Sequence, residues 1–386
     1  MIYFDNAATT YPKPMPVVNA IMKGVTVFGG NPGRGGYPLA MRSSAKVYET
    51  REKIAAMFFG EANNVVFTQN CTYALNMAIK GLRTPFCHYI ISDVEHNAVY
   101  RPVHKISSYT VVDFNRAASA VAATAATAVT DATAVPRADV TAFADWESEI
   151  RPETVAVITT AAGNVTGTPL PLSAIHAVCE RRGICHIVDA AQGAGIIPLR
   201  LGEHANIICA PGHKGLYGVM GTGFFITDGK YPLDTIIEGG SGSLSLMPEQ
   251  PPCSPERFEA GTVNVAGIIA LGAGIDFVNR VGIDRIAAHE QHLCRLFAAI
   301  IRGGRRIILY ENDDAAMLPF NIDGTDSDRV ADALAEKGFA LRGGYHCAYL
   351  GHKKLGTLDT GAVRFAPSYM NNEKETKLLA NAVLAL

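Results

Sequence analysis

Residues 185–190 of this 386-residue chain read CHIVDA, and the small, glycine-rich stretch AQGAG follows as residues 191–195. Apolar and β-branched residues on successive positions are typical of a strand that is covered on both faces, as in a parallel sheet flanked by helices. Five other runs have the same character. They are NVVFT (64–68), HYIIS (88–92), TVAVITT (154–160), ANIICA (205–210) and GTGFFIT (221–227).

Helical patterns lie between these runs, for example at residues 72–80 and 171–182. Gly81 and Gly183 follow them, and we expect both glycines at the C′ positions that end helices. The alternation of strands and helices predicts an α/β fold with a mostly parallel sheet and helices on both faces.

The pattern changes after residue 262. Long helices are predicted at 263–281 and 284–302, followed by a helix near 326–337, a strand near 339–342 and a last helix at 372–385. We therefore predict a large domain over residues 16–262. A smaller α+β domain would consist of residues 1–15 and 263–386.

Composition excludes several classes of protein. With 34 Lys plus Arg and 36 Asp plus Glu, the net charge of −2 gives no electrostatic basis for binding nucleic acid or an anionic membrane. The eight cysteines are scattered without a CxxC pair, so neither a disulfide framework nor a metal site is predicted. No secretory signal and no apolar run of about 18 residues is found, and we expect a cytoplasmic protein. The Ala- and Thr-rich segment 115–145 predicts a surface excursion.

A lysine follows the strand at 205–210, within the stretch APGHKGLYGVMGTG of residues 210–223. Glycines let a backbone turn tightly and let a ligand approach. A lysine desolvated in such a turn has a lowered pKa and can form a Schiff base with a carbonyl. The alternative for Lys214 is a solvated loop lysine. The phosphate-binding pattern GxxxxGK[ST] is not matched.

Other polar residues also follow predicted strands. A carboxylate at Asp189 could pair with a protonated ring nitrogen, or it could cap the next helix. The turn before Thr72 opens a helix whose N-terminus could bind phosphate. His96 and Asn164 follow two more strands, where a packed histidine and a turn-forming asparagine are the structural alternatives. Because these residues share one edge of a predicted sheet, we expect a site there.

Several stretches occur together in a recognisable order. They are YFDNAATTYPKP, EHNAV, VDAAQ, GHKGLYG, FEAGTVN, RGGYHCA and VRFAPSYMNNEKE. In this order and spacing the chain resembles the class V aminotransferases, which are fold type I pyridoxal-phosphate enzymes, and among them the cysteine desulfurases and selenocysteine lyases. The resemblance implies a large domain with a mostly parallel seven-stranded sheet, a smaller α+β domain, a homodimer, and pyridoxal 5'-phosphate as cofactor.

The resemblance also implies how the cofactor ring would be held. Lys214 would hold pyridoxal phosphate covalently, and Asp189 would pair with its pyridine nitrogen. Gln192 would donate a hydrogen bond to the phenolic oxygen of the ring. His96 would stack on the ring.

For the cofactor phosphate, the resemblance implies two sets of contacts. Cys71 and Thr72 would bind it through backbone N–H groups and a hydroxyl, together with His213. Thr262 would reach the phosphate bound in the other subunit. At Ala210–Pro211–Gly212 the chain departs from the family, which usually has a serine or threonine there, so one phosphate contact would be lost.

On the substrate side, Asn164 and Arg364 would bind the carboxylate of the amino acid, and Arg342 would shape the mouth of the site. Cys347 would accept the sulfur. It lies in GGYHCAYLGHKKLG, residues 343–356, which predicts a short loop. There His346 and the lysines 353 and 354 could favour the thiolate if they fold close.

The implied activity is that of a cysteine desulfurase. The enzyme would convert L-cysteine to L-alanine and carry the sulfur as a persulfide on Cys347, for transfer to an acceptor protein. Selenocysteine is the alternative substrate. The alternative functions on the same scaffold are a C–S lyase, an aminotransferase, and a non-catalytic binding or assembly protein. The last is considered because of Pro211, and because Ala161 and Gly163 replace the histidine and serine that usually precede the substrate-binding asparagine.

Overall fold

The computed structural model describes residues 1–33, 35–115, 144–312 and 314–386. The predicted surface excursion at 115–145 falls almost wholly outside these residues. Eleven helices of the described chain are named here in chain order. They are α1 (Met15–Thr26), α2 (Pro38–Phe58), α3 (Cys71–Gly81), α4 (Asn97–Ile106), α5 (Ala144–Glu147), α6 (Leu172–Arg182), α7 (Val265–Val281), α8 (Ile283–Ile301), α9 (Ser327–Glu336), α10 (Tyr349–Leu355) and α11 (Glu373–Leu384).

A seven-stranded sheet forms the centre of the larger part of the molecule. In spatial order its strands are β2 (Val65–Thr68), β8 (Gly223–Thr227), β7 (Ile207–Pro211), β6 (Cys185–Asp189), β5 (Thr154–Thr160), β3 (His88–Ser92) and β4 (Ser108–Val112). Strand β8 runs antiparallel to both of its neighbours, and all other pairs are parallel. The predicted α/β fold is confirmed. The edge strand β4 escapes prediction because none of its residues is fully buried, so it lacks a continuous apolar run.

The central strands are buried on both faces because each face is covered by helices. Val157 and Val188 pack in one core with α2, α6 and α7, whereas Ile158 and Ile187 pack in a second core with α3 and α4. Alternate residues of each strand therefore enter opposite cores, which explains why these strands are apolar on successive positions.

The two glycines expected at helix ends differ in their roles. Gly183 follows α6 with φ 67°, the left-handed conformation predicted for it. Gly81 is instead the last residue of α3, and Leu82 follows it with a right-handed backbone. A Cβ on Gly81 would lie 2.8 Å from the carbonyl oxygen of Asp234, so close approach of another segment explains this glycine.

The smaller sheets join both ends of the chain. Strands β12 (Val363–Phe365), β10 (Leu318–Ile322) and β9 (Ile307–Leu309) form an antiparallel sheet, and β1 (Ile2–Tyr3) pairs in parallel with β11 (Phe339–Ala340). The aromatic side chains of Phe4, Phe297, Phe320 and Phe365 share a core between these strands and helices α8 and α11.

Helix α7 bears on the predicted domain boundary. Its residues Ile268, Leu271 and Ile275 belong to the core of the large sheet, although the boundary at 262 assigns them to the smaller domain. The two-domain division stays a prediction, and this packing favours a boundary near Gly282.

Among the described residues no single helix is long and apolar enough to cross a membrane; α7 and α8 meet that test only as a pair bent by 80°.

Candidate active site

A cavity opens where the carboxyl ends of β5, β6 and β7 meet the start of helix α3. Ligands of open α/β sheets bind at this edge. The structure brings together eight of the side chains predicted for a site, and their individual roles stay predictions. They are Cys71, Thr72, His96, Asn164, Asp189, Gln192, His213 and Lys214.

Lys214 lies in the turn after β7, with its partly buried side chain in the cavity. Burial lowers the pKa of its amine below the usual value, and the nearby Arg364 guanidinium lowers it further. This placement in the cavity argues against a solvated loop lysine, and the role of Lys214 stays a prediction. A lowered pKa favours the unprotonated amine, the form that acts as a nucleophile or a base.

The N-terminal segment holds this turn in place. The backbone N–H of Thr10 and the ammonium group of Lys13 donate to the carbonyl oxygen of His213 at 3.1 Å and 2.8 Å. The Thr10 hydroxyl donates to the carbonyl oxygen of Lys214 at 3.2 Å. From the sequence alone this segment only contributes to the family resemblance. The polar side chains of Thr9, Thr10 and the nearby Lys13 are the feature from which a positioning role could have been predicted.

The glycines of this region serve close packing of the protein on itself. A Cβ on Gly195, which has φ 85°, would overlap the carbonyl oxygen of Gly215, and a Cβ on Gly215 would overlap that of Ala194. A Cβ on Gly223 would lie 2.5 Å from the carbonyl carbon of Asn70. The turns after β6 and β7 thus touch each other through their backbones, and the residue before α3 touches the first residue of β8. At Gly215 and Gly223 the missing side chain makes room for other parts of the protein, and not for a ligand as the sequence predicted.

Asp189 ends β6 and is buried. Its Oδ1 accepts hydrogen bonds from the backbone N–H of Ala191 at 2.9 Å and from the thiol of Cys71 at 3.4 Å. A turn rather than a helix follows this strand, so the carboxylate caps a turn with one of its oxygens. The side-chain amide of Gln192 donates to the carbonyl oxygen of Ala7 at 3.0 Å.

The first turn of α3 and His213 form the part of the cavity that suits an anion. The side chain of Asn70 accepts from the N–H of Tyr73 at 3.1 Å, and the N–H groups of Cys71 and Thr72 precede the first intrahelical bonds. The Nδ1 atom of His213 is buried and has no hydrogen-bond partner among the described residues. Burial, with help from the charges of Lys214 and Lys13, lowers the pKa of His213 to about 4.

His96 stands at the start of α4 and lines the cavity. Its Nδ1 accepts a hydrogen bond from the N–H of Ala98 at 3.0 Å. The proton of the neutral ring therefore lies on Nε2. Burial lowers the pKa of His96, which favours this neutral form.

Asn164 and Arg364 lie next to each other beside the cavity. The guanidinium of Arg364 is buried; it donates to the carbonyl oxygen of Asn164 at 2.6 Å and forms an ion pair with Asp5 at 3.1 Å. The Oδ1 atom of Asn164 and the Nε atom of Arg364 are buried without a partner among the described residues. Arg342 is exposed, and its carbonyl oxygen accepts from the N–H of Arg364 at 3.0 Å.

Cys347 is exposed and lies in a turn that is tied to the cavity wall. Its carbonyl oxygen accepts from the N–H of Asn97 at 2.8 Å, and the carbonyl oxygen of His346 accepts from the Asn164 side chain at 2.7 Å. His346 and Cys347 have φ values of 48° and 56°, which are uncommon for residues other than glycine. The predicted loop is shorter than expected, since α10 begins at Tyr349.

Two of the groups named for this role, His346 and Lys354, do not supply the positive charge expected beside this thiol. Burial lowers the pKa of His346 to about 3, and its Nε2 donates to the carbonyl oxygen of Ala362 at 2.9 Å, so its ring is neutral. The ammonium group of Lys354 is paired with Asp93 and Asp113 at 2.7 Å and 2.8 Å.

Thr262 does not line the cavity that contains Lys214. It borders two neighbouring pockets, one of which it shares with Thr68 and Tyr73. Its predicted contact with a phosphate of another subunit stays a prediction. Pro211 lies in the cavity wall at the end of β7.

A family model described as Aminotransferase class-V matches residues 2–379. The chain belongs to the class V aminotransferase family. This match spans both the large sheet and the smaller sheets, so the resemblance inferred from short stretches is confirmed along the whole chain.

Cysteine desulfurases are prominent among its relatives. The chain is 31% identical to a probable cysteine desulfurase of Methanothermobacter thermautotrophicus, over 99% of this chain and 94% of that protein. Its fold matches the apo structure of a cysteine desulfurase from Thermococcus onnurineus with a TM-score of 0.84, 24% identity and coverage of 100% and 94% of the two chains. A cysteine desulfurase from Escherichia coli, in an S-sulfonic acid form, matches with a TM-score of 0.81, 25% identity and coverage of 99% and 93%.

Proposed function

We propose that this protein is a pyridoxal-phosphate-dependent cysteine desulfurase, which converts L-cysteine to L-alanine and receives the sulfur on Cys347. The observation that carries the proposal is the link between two reactive side chains. Lys214 lies in the cavity, and the exposed Cys347 lies in a turn bonded to Asn97 and Asn164 at its wall. The names of the relatives support the same activity.

The residues of the cavity fit pyridoxal phosphate. The buried Nδ1 of His213 lacks a partner among the described residues, and the N-terminus of α3 presents N–H groups to an anion. Asp189 is a carboxylate suited to a protonated ring nitrogen, and Lys214 is an amine suited to the aldehyde. When bound, the cofactor supplies an electron sink for the α-carbon of an amino acid. The loss of a hydroxyl at Pro211 leaves these other contacts in place.

The remaining side chains bind the substrate and handle protons. The buried guanidinium of Arg364 and the amide of Asn164 would bind the substrate carboxylate. Nζ of Lys214, whose pKa is lowered by burial, would accept a proton and return it during the reaction.

The thiolate of Cys347 would attack the substrate sulfur. A new S–S bond forms as the C–S bond breaks; the electron pair of the C–S bond stays with the β-carbon, which takes a proton and becomes the methyl group of alanine. The sulfur remains on Cys347 as a persulfide, and the thiol of an acceptor protein can then attack it.

Other parts of the proposal concern the assembly. We propose a homodimer in which Thr262 of each subunit reaches the phosphate bound by the other. The enzyme would act in the cytoplasm and pass its sulfur to an acceptor protein. Selenocysteine stays an alternative substrate.

Product analysis tests the proposed activity. The purified protein, loaded with pyridoxal phosphate and given L-cysteine and a reductant, should form alanine and sulfide in equal amounts. Cys347→Ala should keep the visible absorbance of the cofactor and lose the persulfide, whereas Cys253→Ala, which removes the other exposed thiol, should behave as the wild type.

Different products would contradict the proposal. Pyruvate and ammonia in place of alanine would identify a C–S lyase, and a requirement for a keto acid would identify an aminotransferase. Turnover of selenocysteine alone would identify a selenocysteine lyase. A wild-type protein that takes up no cofactor would favour a non-catalytic role.

A further inference from the structure

A second thiol lies inside the cavity, and it is not part of the proposed sulfur transfer. Cys71 is the first residue of α3, is 8% exposed, and places its Sγ 3.4 Å from Oδ1 of Asp189. Both side chains line the cavity with Lys214. The N–H of Ala191 donates to the same carboxylate oxygen at 2.9 Å.

Two donors on one oxygen restrict the orientation of the carboxylate. The N–H of Ala191 approaches from the turn after β6, and the thiol approaches from the start of α3. Because the donors belong to different elements, rotation of the carboxylate would break at least one of the two bonds. The other oxygen, Oδ2, then remains available to a ligand in the cavity.

The backbone that carries the thiol is closely packed. The backbone of Gly223 packs against α3 so closely that a Cβ there would lie 2.9 Å from the backbone nitrogen of Cys71. Burial raises the pKa of the Cys71 thiol well above its usual value, and the charge of Asp189 raises it further. The group therefore keeps its proton and acts as a donor, not as a nucleophile.

We infer that Cys71 is a positioning residue, whose thiol fixes the carboxylate of Asp189 so that Oδ2 faces the ring nitrogen of the cofactor. This inference rests on the proposed function, since the ring nitrogen belongs to pyridoxal phosphate. The thiol has a second effect on the site. Its hydrogen bond disperses part of the negative charge that Asp189 directs at Lys214.

The test compares Cys71→Ala with Cys71→Ser. Serine keeps a γ atom that can donate to Asp189, whereas alanine removes both that atom and the hydrogen bond. We expect Cys71→Ala to bind pyridoxal phosphate about fivefold more weakly than the wild type, and Cys71→Ser to differ from the wild type by less than about twofold. Absorbance titration of each apoprotein with pyridoxal phosphate measures these constants.

A spectroscopic signature accompanies the change in affinity. In Cys71→Ala the full negative charge of Asp189 stabilises the cationic form of the bound cofactor, so the pH midpoint of its visible absorbance should move upward. In Cys71→Ser the midpoint should stay at the wild-type value. Cys185→Ala, which removes a buried thiol from the other end of β6, should lower the melting temperature without moving the midpoint or the affinity.

The outcomes separate this inference from the proposed function. A wild-type protein that takes up no pyridoxal phosphate would overturn both. A wild-type protein that binds it, with Cys71→Ala unchanged in affinity and pH midpoint, would overturn only the role of Cys71. Equal losses in Cys71→Ala and Cys71→Ser would also overturn it, because they would assign the effect to packing.

Discussion

The two regions that the proposed reaction needs are held in different ways. The lysine turn, residues 212–218, is locked by backbone contacts with the turn after β6 and by donors from the N-terminal segment. The cysteine turn, residues 345–348, is exposed at Cys347 and is tied to the cavity wall by two hydrogen bonds. The first arrangement suits a cofactor that must not move. The second suits a thiol that must meet a substrate on one side and an acceptor on the other.

Replacing each reactive side chain should sharpen this contrast most. We expect Lys214→Ala to slow alanine formation by about a thousandfold or more, because in the proposed mechanism Nζ would both hold the cofactor and move protons. The same variant should lose its visible absorbance after desalting, whereas Cys347→Ala keeps it. Alanine release and absorbance spectra of both variants provide the measurement. A Lys214→Ala protein that turns over at more than a tenth of the wild-type rate would assign the chemistry to another residue.

The backbone contacts of the lysine turn can be tested by adding a single methyl group. Gly195→Ala combines a positive φ with overlap of the Gly215 carbonyl oxygen, and we expect it to cost about 3 kcal/mol of unfolding free energy. Gly183 also has a positive φ, but no atom lies within 4 Å of an added Cβ. Gly183→Ala should therefore cost only about 1 kcal/mol. Urea unfolding measures both. Equal losses would show that conformation alone, without close packing, explains these glycines.

Much of the large sheet could be predicted because burial on both faces leaves a direct trace in the sequence. Runs such as TVAVITT at 154–160 coincide with β5 in every residue. Polar side chains at the ends of these strands could be placed together because the carboxyl ends of parallel strands share an edge. The edge strand β4 could not, since its partly exposed residues carry no such trace.

Contacts between distant segments escaped prediction for a different reason. The donors from Thr10 and Lys13 to the carbonyl oxygen of His213 join residues about two hundred positions apart, and no local pattern reports such pairing. Likewise, the histidine beside Cys347 suggests a nearby positive charge when read locally. Only the fold shows that the ring of His346 is buried against Ala362 and stacked on His352, 5.8 Å away.

The cysteine turn should respond to acid through that buried ring, with a smaller effect than Lys214→Ala or Gly195→Ala. The pKa of His346 is lowered to about 3 by burial, with Arg364 and Arg342 nearby, whereas the unfolded chain has a pKa of about 6.5. Below pH 6.5 the unfolded state therefore binds more protons, and stability should fall by about 2 kcal/mol by pH 5 on account of this residue. His346→Asn replaces the titrating ring by a residue that tolerates positive φ, so the stability of this variant should fall less steeply between pH 7.5 and 5 in urea unfolding.

His186→Asn is the matched control, because the pKa of His186 is also lowered to about 3 but its ring lies inside the large sheet. Both variants should flatten the stability profile, and only His346→Asn should alter the pH dependence of persulfide formation on Cys347. An unchanged persulfide profile in His346→Asn would mean that the turn keeps its geometry without the histidine.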